Sequence, residues 1–294
     1  MIKNYYIGCP IWGNKEWVGE FFSEDARPKD FVRQYTSVMT TVEGNNTFYG
    51  LPKAETVQRW ADEAPDNFRF CFKFPRLISH DKRMIDTAAD TIVFLKLMEP
   101  IAEKLGILFL QLPPSFGFHG MEVLEKYLSN LPSDYTYGVE VRHLDFFDEG
   151  QREQQFNDLL ERLGVNRVMF DTATLHNIRT GQNADVLEAQ RKKPKMPSRF
   201  IATAGNPFLR FVGYQEVEPN LPRLDVLVDK TAEWLKRGLT PFICLHSPND
   251  FHAPALCRKF HEMLKERVGE LDIGDMPEWP VDRKPPEPKQ MSLF

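Results

Sequence analysis

Glu43, Lys73, Glu140, His143 and Asp171 are the side chains of this sequence best suited to move protons or hold developing charge, and each stands at or just beyond the end of an apolar segment. Residues 41–52 read TVEGNNTFYGLP. A β-branched, alternating stretch through Val38, Thr40 and Val42 gives way to Glu43, Asn45, Asn46 and Tyr49, and Leu51 and Pro52 then begin a helical pattern. Strand-to-helix turns are where α/β proteins keep their chemistry. A carboxylate beside a cation at such a turn is equipped as a general base, which puts Glu43 and Glu140 first for that role, and Lys73 is suited to stabilising negative charge as it develops. Arg76, Arg142 and Arg210 offer planar, forked donors for phosphate or carboxylate groups. His80, Gln111, His246, Asn249 and Asp250 add hydrogen-bonding groups at other segment ends, and Trp12, Asn45 and Tyr49 are placed to stack on or bond a substrate.

For side chains so far apart in sequence to meet, the segments before them must share one end. Apolar or alternating runs are expected as strands at 5–9, 38–42, 68–74, 107–112, 137–141, 167–170, 208–212 and 242–245. Helical patterns follow from Pro28, at 52–64, 86–105, 121–130, 152–163, 223–237 and 254–267, with Gly106, Gly164 and Gly238 as helix stops. The run FRFCFKF at 68–74 reads as a strand with its phenylalanines turned inward. Eight strand and helix units in order imply a single closed (β/α)8 barrel of the TIM type over residues 1–268, with every strand's carboxyl end on one rim. An open doubly wound sheet would be expected to carry a glycine-rich phosphate turn after its first strand, and none follows residues 5–9.

Two stretches depart from that rhythm. Residues 177–206 are polar, carry the basic run 191–195 and exceed an ordinary barrel connection, so they are expected to form an inserted, lid-like excursion; its charges either face solvent or meet an anionic substrate. Residues 269–294 are expected as an extended tail, because proline and charge crowd 277–289 and disfavour compact packing. The loop with Trp12, Trp17, Phe21 and Phe22 either caps a core or lines a pocket.

Composition narrows the function classes. With 294 residues, 42% of them hydrophobic, the chain can bury a large core. A net charge of −5 excludes a globally basic nucleic-acid binder, though not a local basic rim. No run reaches the length of a membrane span, and residues 1–4 lead straight into a strand, so a cytoplasmic protein without membrane contact is expected. Cys9, Cys71, Cys244 and Cys257 have neither zinc nor disulfide spacing and read as buried thiols.

Four segments in order, VEGNNTFYGLP from Val42, FKFPRLISH from Phe72, LGILFLQLPPSF from Leu105 and VEVRHLDFF from Val139, resemble the signature stretches of the YecE-like family, a domain of unknown function. The resemblance spans residues 5–264. It implies a TIM-type barrel and no established activity. Asn45, Asn249 and Asp250 match the family pattern; Gly44 stands where a larger apolar residue is usual, and LHSPND from Leu245 departs from the usual ending, so no family role passes to His246.

The rim supports more than one reading. Its carboxylates and cations form either a structural ring of ion pairs or a site that binds phosphate and activates a nucleophile. His80, His143 and His246 with the carboxylates raise a divalent metal as a possible cofactor, without an HxH or HExxH spacing to support it. The terminal Gln290, Met291, Ser292, Leu293 and Phe294 resemble the motif by which replication and repair proteins dock on the bacterial sliding clamp: a glutamine at the pocket mouth and two apolar knobs on a tether. The alternative is that Leu293 and Phe294 fold back on the barrel. Together these features lead to an expected enzyme of DNA maintenance, a nuclease or end-processing hydrolase brought to DNA by the clamp, with endonuclease IV as a fold-level analogy only. The alternatives are a barrel enzyme for a small carbohydrate or phosphorylated metabolite, and a non-catalytic clamp-bound adaptor.

Overall fold

Period-two alternation along eight short segments closes this chain on itself. In the computed structural model, which describes residues 1–178 and 183–283, β1 (Tyr6–Cys9), β2 (Thr41–Gly44), β3 (Arg69–Lys73), β4 (Leu105–Gln111), β5 (Thr136–Glu140), β6 (Asn166–Asp171), β7 (Phe208–Val212) and β8 (Phe242–His246) pair in parallel, in sequence order, as one closed barrel. The outer layer is formed by α1 (Phe31–Thr36), α2 (Asn46–Tyr49), α3 (Ala54–Glu63), α4 (Ala88–Met98), α5 (Met121–Ser129), α6 (Gln151–Leu163), α7 (Ala173–Asn177), α8 (Ala184–Lys192), α9 (Leu221–Lys236) and α10 (Ala253–Val268). The expected fold class is therefore the observed one.

Closure gives each strand two buried faces, and this corrects the reading of FRFCFKF. Phe68, Phe70, Phe72 and Phe74 belong to the core between sheet and helices, where Trp60 of α3 packs on Phe70 and Phe72 at 6.1 and 5.5 Å between centroids. Cys71 instead joins Ile107, Phe109, Val168, Phe208, Phe242 and Cys244 in the smaller core along the barrel axis. A run of phenylalanines can face the helices because burial there is as complete as on the axis, at about 1.5–3 kcal/mol for each ring. The odd positions of β3 are thereby left to face the axis, and Lys73 is the last of them.

Gly106 is not a helix stop. The segment 86–105 breaks earlier: α4 ends at Met98 and passes into a 3-10 stretch (Glu99–Lys104) that leaves helical geometry at Ile101. Gly106 lies inside β4, where the register against β3 slips by one residue and a Cβ would come within 2.9 Å of Cys71 Sγ and of a Phe242 ring carbon. The second strand likewise starts at Thr41 and not at Val38, because Val38 and Met39 are spent as buried contacts under the turn from α1.

The excursion after β6 is built, not loose, where it is described. Leu175 of α7, Val186 and Ala189 of α8 and Met196 just beyond it cluster with Phe170 and Val212 at the strand ends, and the Thr172 hydroxyl donates to the Pro194 carbonyl at 2.8 Å. Asn249 Nδ2 donates to Asp185 Oδ2 at 3.0 Å, tying α8 to the loop after β8. The excursion thus spans the carboxyl-terminal rim from β6 to β8.

Beyond α10 the chain is extended yet docked. Ile273 is buried and accepts from Lys3 N at 2.9 Å, Trp279 meets Phe21 edge to face at 5.4 Å between centroids with Arg258 over its ring, and Pro280 is buried. Proline does not prevent this packing, because an extended segment needs few backbone bonds of its own. The candidate clamp motif at 290–294 lies outside the described residues. No described helix is long and apolar enough to cross a membrane.

Candidate active site

At the carboxyl ends of the strands, alternation brings Glu43, Lys73, Gln111, Glu140, Arg210 and His246 to one place on the axis, above a floor of Phe109 and Phe170. Arg210 organises them. Its Nε and Nη2 donate to Glu43 Oε2 and Oε1, both at 2.6 Å, and its Nη1 donates to Glu140 Oε2. Its guanidinium lies 4.6 Å from the Phe170 centroid and 5.5 Å from that of Phe109. Arg142 donates to Glu140 Oε1 at 2.7 Å and to Gln111 Oε1 at 2.8 Å. His246 Nε2 sits 3.1 Å from Glu43 Oε2, and its Nδ1 is 3.9 Å from Asp250 Oδ1.

Counting charge across this cluster isolates Lys73. Two carboxylates, Glu43 and Glu140, are balanced by two guanidiniums, Arg210 and Arg142. Lys73 is surplus: its Nζ reaches Glu43 Oε1 only at 3.7 Å, and it lies between the rings of Phe48 and Phe109 at 5.8 and 5.7 Å. Burial pushes its ammonium down, the Arg210 charge adds to that, and Glu43 and Glu140 restore part of the loss, leaving a pKa lowered to about 7. Burial raises Glu43, but Arg210, His246 and Lys73 outweigh it and hold this carboxyl well below the usual range. Glu140 is also held low against its burial, by Arg210, Arg142 and Lys73. Glu43 and Glu140 are thus held as anions in bidentate and bridging ion pairs, and Lys73 is the cation of the cluster without a short ion-pair contact.

The rim carries unmet polar groups. Asn45 Oδ1, Ser247 Oγ and Asp250 Oδ1 are buried without a hydrogen-bond partner in the structure. Asp250 sits in left-handed backbone at φ 63°, which a non-glycine residue adopts at a cost and which aims its carboxyl toward His246. Burial raises that carboxyl to about 7 despite the opposing charge of Lys193, a residue of the excursion. A cavity of about 220 Å³ opens next to Glu43, lined also by Pro10, Ile11, Trp12, Gly13, Asn45 and Asn46. The aromatic loop is thus divided: Trp12 lines the cavity, while Trp17, Phe21 and Phe22 are fully buried core.

Several sequence candidates lie elsewhere. Asp171 follows the axial Phe170, so alternation turns it outward, where it accepts from Arg223 of α9 at 2.6 Å and from Ser198 at 2.8 Å. His143 accepts from Asp145 N at 3.2 Å and caps the short helix Leu144–Phe147. Arg76 is exposed and pairs with Asp81, and Tyr49 is 83% exposed. His80 is half-buried against Phe48, and burial with the Arg76 and Arg142 charges lowers it to about 4. Asn249 is committed to Gln215 and Asp185. Lys193 is the residue that pattern reading left within a generic basic run, and nothing in its local sequence distinguishes it from Lys192 or Lys195. Among the described residues, no group of three or more His, Cys, Asp and Glu side chains is placed to hold a metal ion.

Comparison with known proteins places these features in context. A family model described as a protein of unknown function, DUF72, matches residues 6–281. The chain is 38% identical over 289 residues to UPF0759 protein YecE of Escherichia coli K12, covering 98% of this chain and 99% of that one, and equally so to its counterpart in strain O157:H7. A DUF72 family protein of Thermotoga maritima superposes with a TM-score of 0.67 at 22% identity, covering 89% of this chain and 99% of its own. One from Enterococcus faecalis gives 0.65 at 14% identity, covering 93% and 98%. At these identities the two structures share the fold.

Proposed function

The chain belongs to the DUF72 family of proteins of unknown function, and from its own site we propose that it is an enzyme acting on a small phosphate- or carboxylate-bearing metabolite, with the Lys73 amine as the group that takes the proton. The observation that carries this reading is the position of Lys73. Of the charged groups on the axis, only Lys73 and Arg142 are more than a tenth exposed, at 11% and 13% of their side chains, against 0% for Glu43, 1% for Glu140 and 4% for Arg210. A surplus amine at the open end of an otherwise balanced ion cluster is the arrangement a lysine base needs. Lys193, whose charge acts on Asp250 and His246, supplies charge for an anion, and the unmet Asn45 and Ser247 atoms suit a substrate bearing hydroxyls.

Size supports a small molecule. The cavity of about 220 Å³ beside Glu43, lined by Trp12 and Asn45 but not by Lys73, lies below the roughly 300–1,000 Å³ of sites for drug-sized ligands. A thermal-shift screen of small phosphorylated and carboxylated metabolites tests the reading. A compound present at about 100 times its Kd should stabilise by about 2.7 kcal/mol, a rise of several degrees, and much of that rise should vanish in Lys193→Met. Stabilisation by duplex DNA, with no response to any small anion, would contradict it.

DNA processing is the second reading, favoured by one observation, the terminal QMSLF sequence. The described chain ends at Arg283, just past the packed Trp279 and Pro280. Deleting 290–294 is expected to abolish capture on an immobilised sliding clamp while leaving the melting temperature unchanged. Capture that survives the deletion would remove the docking proposal, and a large drop in melting temperature would favour fold-back.

A further inference from the structure

We infer that Lys73 reacts covalently, condensing with the carbonyl of its substrate to form an imine, so that the substrate class is a small aldehyde or ketone carrying an anionic group. The inference rests on the reading of Lys73 as the working amine and goes beyond proton transfer. Three features of the geometry point to it. Lys73 has no close hydrogen-bond acceptor to tie up its nitrogen, its Nζ being 3.7 Å from the nearest carboxylate oxygen. Phe48 and Phe109 flank it with apolar surface that favours the uncharged amine. Glu43, held as an anion by Arg210, lies where the positive charge of a protonated imine would develop.

The step balances with groups already present. The neutral Nζ attacks the carbonyl carbon, the carbonyl oxygen takes up a proton as the nitrogen loses one, and the resulting hydroxyl leaves as water when it is protonated again. Amine and carbonyl become imine and water, with no oxidant or reductant. Solvent at the open mouth, where the Lys73 side chain is 11% exposed, supplies and recovers the proton. The protonated imine then withdraws electrons from the neighbouring carbon, so the class of reaction is the breaking of a C–H or C–C bond next to the original carbonyl.

Glyoxylate with sodium cyanoborohydride tests this on the full-length protein, because the pair converts any accessible imine to a stable secondary amine that peptide mass spectrometry locates. At pH 7 Lys73 should be modified at least about 10-fold faster than any surface lysine, since an ordinary lysine is almost wholly protonated there. Lys73→Arg, checked for an unchanged melting profile, should lose that fast phase alone. Modification of Lys73 no faster than of the surface lysines overturns the inference. The two readings fail separately: anionic metabolites that bind without fast Lys73 modification would leave proton transfer and remove the imine, whereas fast modification without any anion binding would keep the imine and remove the anionic substrate.

Discussion

Arg210→Gln is expected to lose about 3–5 kcal/mol of stability, the cost of leaving buried charge without its partner. In a domain of this size that is a fall in melting temperature on the order of 10 °C. The residue holds Glu43 through two nitrogens and Glu140 through a third, and all three side chains are at most 4% exposed. Glutamine reaches neither carboxylate with a charge. The pH dependence should also change sign. In the wild type Glu43 and Glu140 have folded pKa values below their unfolded ones, so their contribution is present above the unfolded carboxylate range, near 4.3, and is lost as pH falls through the folded values. Without Arg210, burial should raise at least one of these carboxyls, and the variant should become relatively more stable as acid protonates it. Melting curves from pH 4 to 8 check both parts. A variant within 1 kcal/mol of wild type across that range would mean the axial ion pairs are not what holds the mouth together.

Lys73→Met should have the opposite profile, with activity lost and the fold kept. Turnover of a metabolite found by the thermal-shift screen is expected to fall by about 10²–10⁴-fold for the loss of a positioned base, and further if the amine also forms a covalent intermediate. Stability should hold or rise, because the remaining carboxylates and guanidiniums balance without the lysine. Here the sign follows from a depressed folded pKa: lysine contributes fully above its unfolded value of 10.5, and that contribution is lost as pH falls toward about 7. The variant should therefore gain on the wild type as pH is lowered from 10 to 7. A loss of 3 kcal/mol or more at neutral pH would instead make Lys73 a structural ion-pair partner of Glu43.

The barrel and most of its mouth were legible in the sequence because alternation and helix periodicity are local. Glu43, Lys73, Glu140, Arg210 and His246 each stand at the end of a recognisable strand, and closure brings them together. Asp171 was placed with them because strand ends were read without their parity; Val168 and Phe170, two apart, already mark the axial face, and Asp171 is off it. The division of labour was less legible. Whether Glu43 is a base depends on Arg210, 167 positions away, donating twice to it, and no local pattern reports that. Lys193 reaches the site only through the packing of α7 and α8 over the strand ends, and Arg223 through the register of a helix against Asp171. These are properties of tertiary placement, not of spacing.

Lys73 is central to this account as an amine that exchanges its proton near neutral pH, at about 7, at the mouth of a charge-balanced cluster. Titration of the lysine ¹³Cε and ¹⁵Nζ resonances, with Lys73 assigned by its absence in Lys73→Arg, measures this directly. A midpoint near 7, well separated from the other lysines, is the result expected; a midpoint near 10, among them, would contradict it.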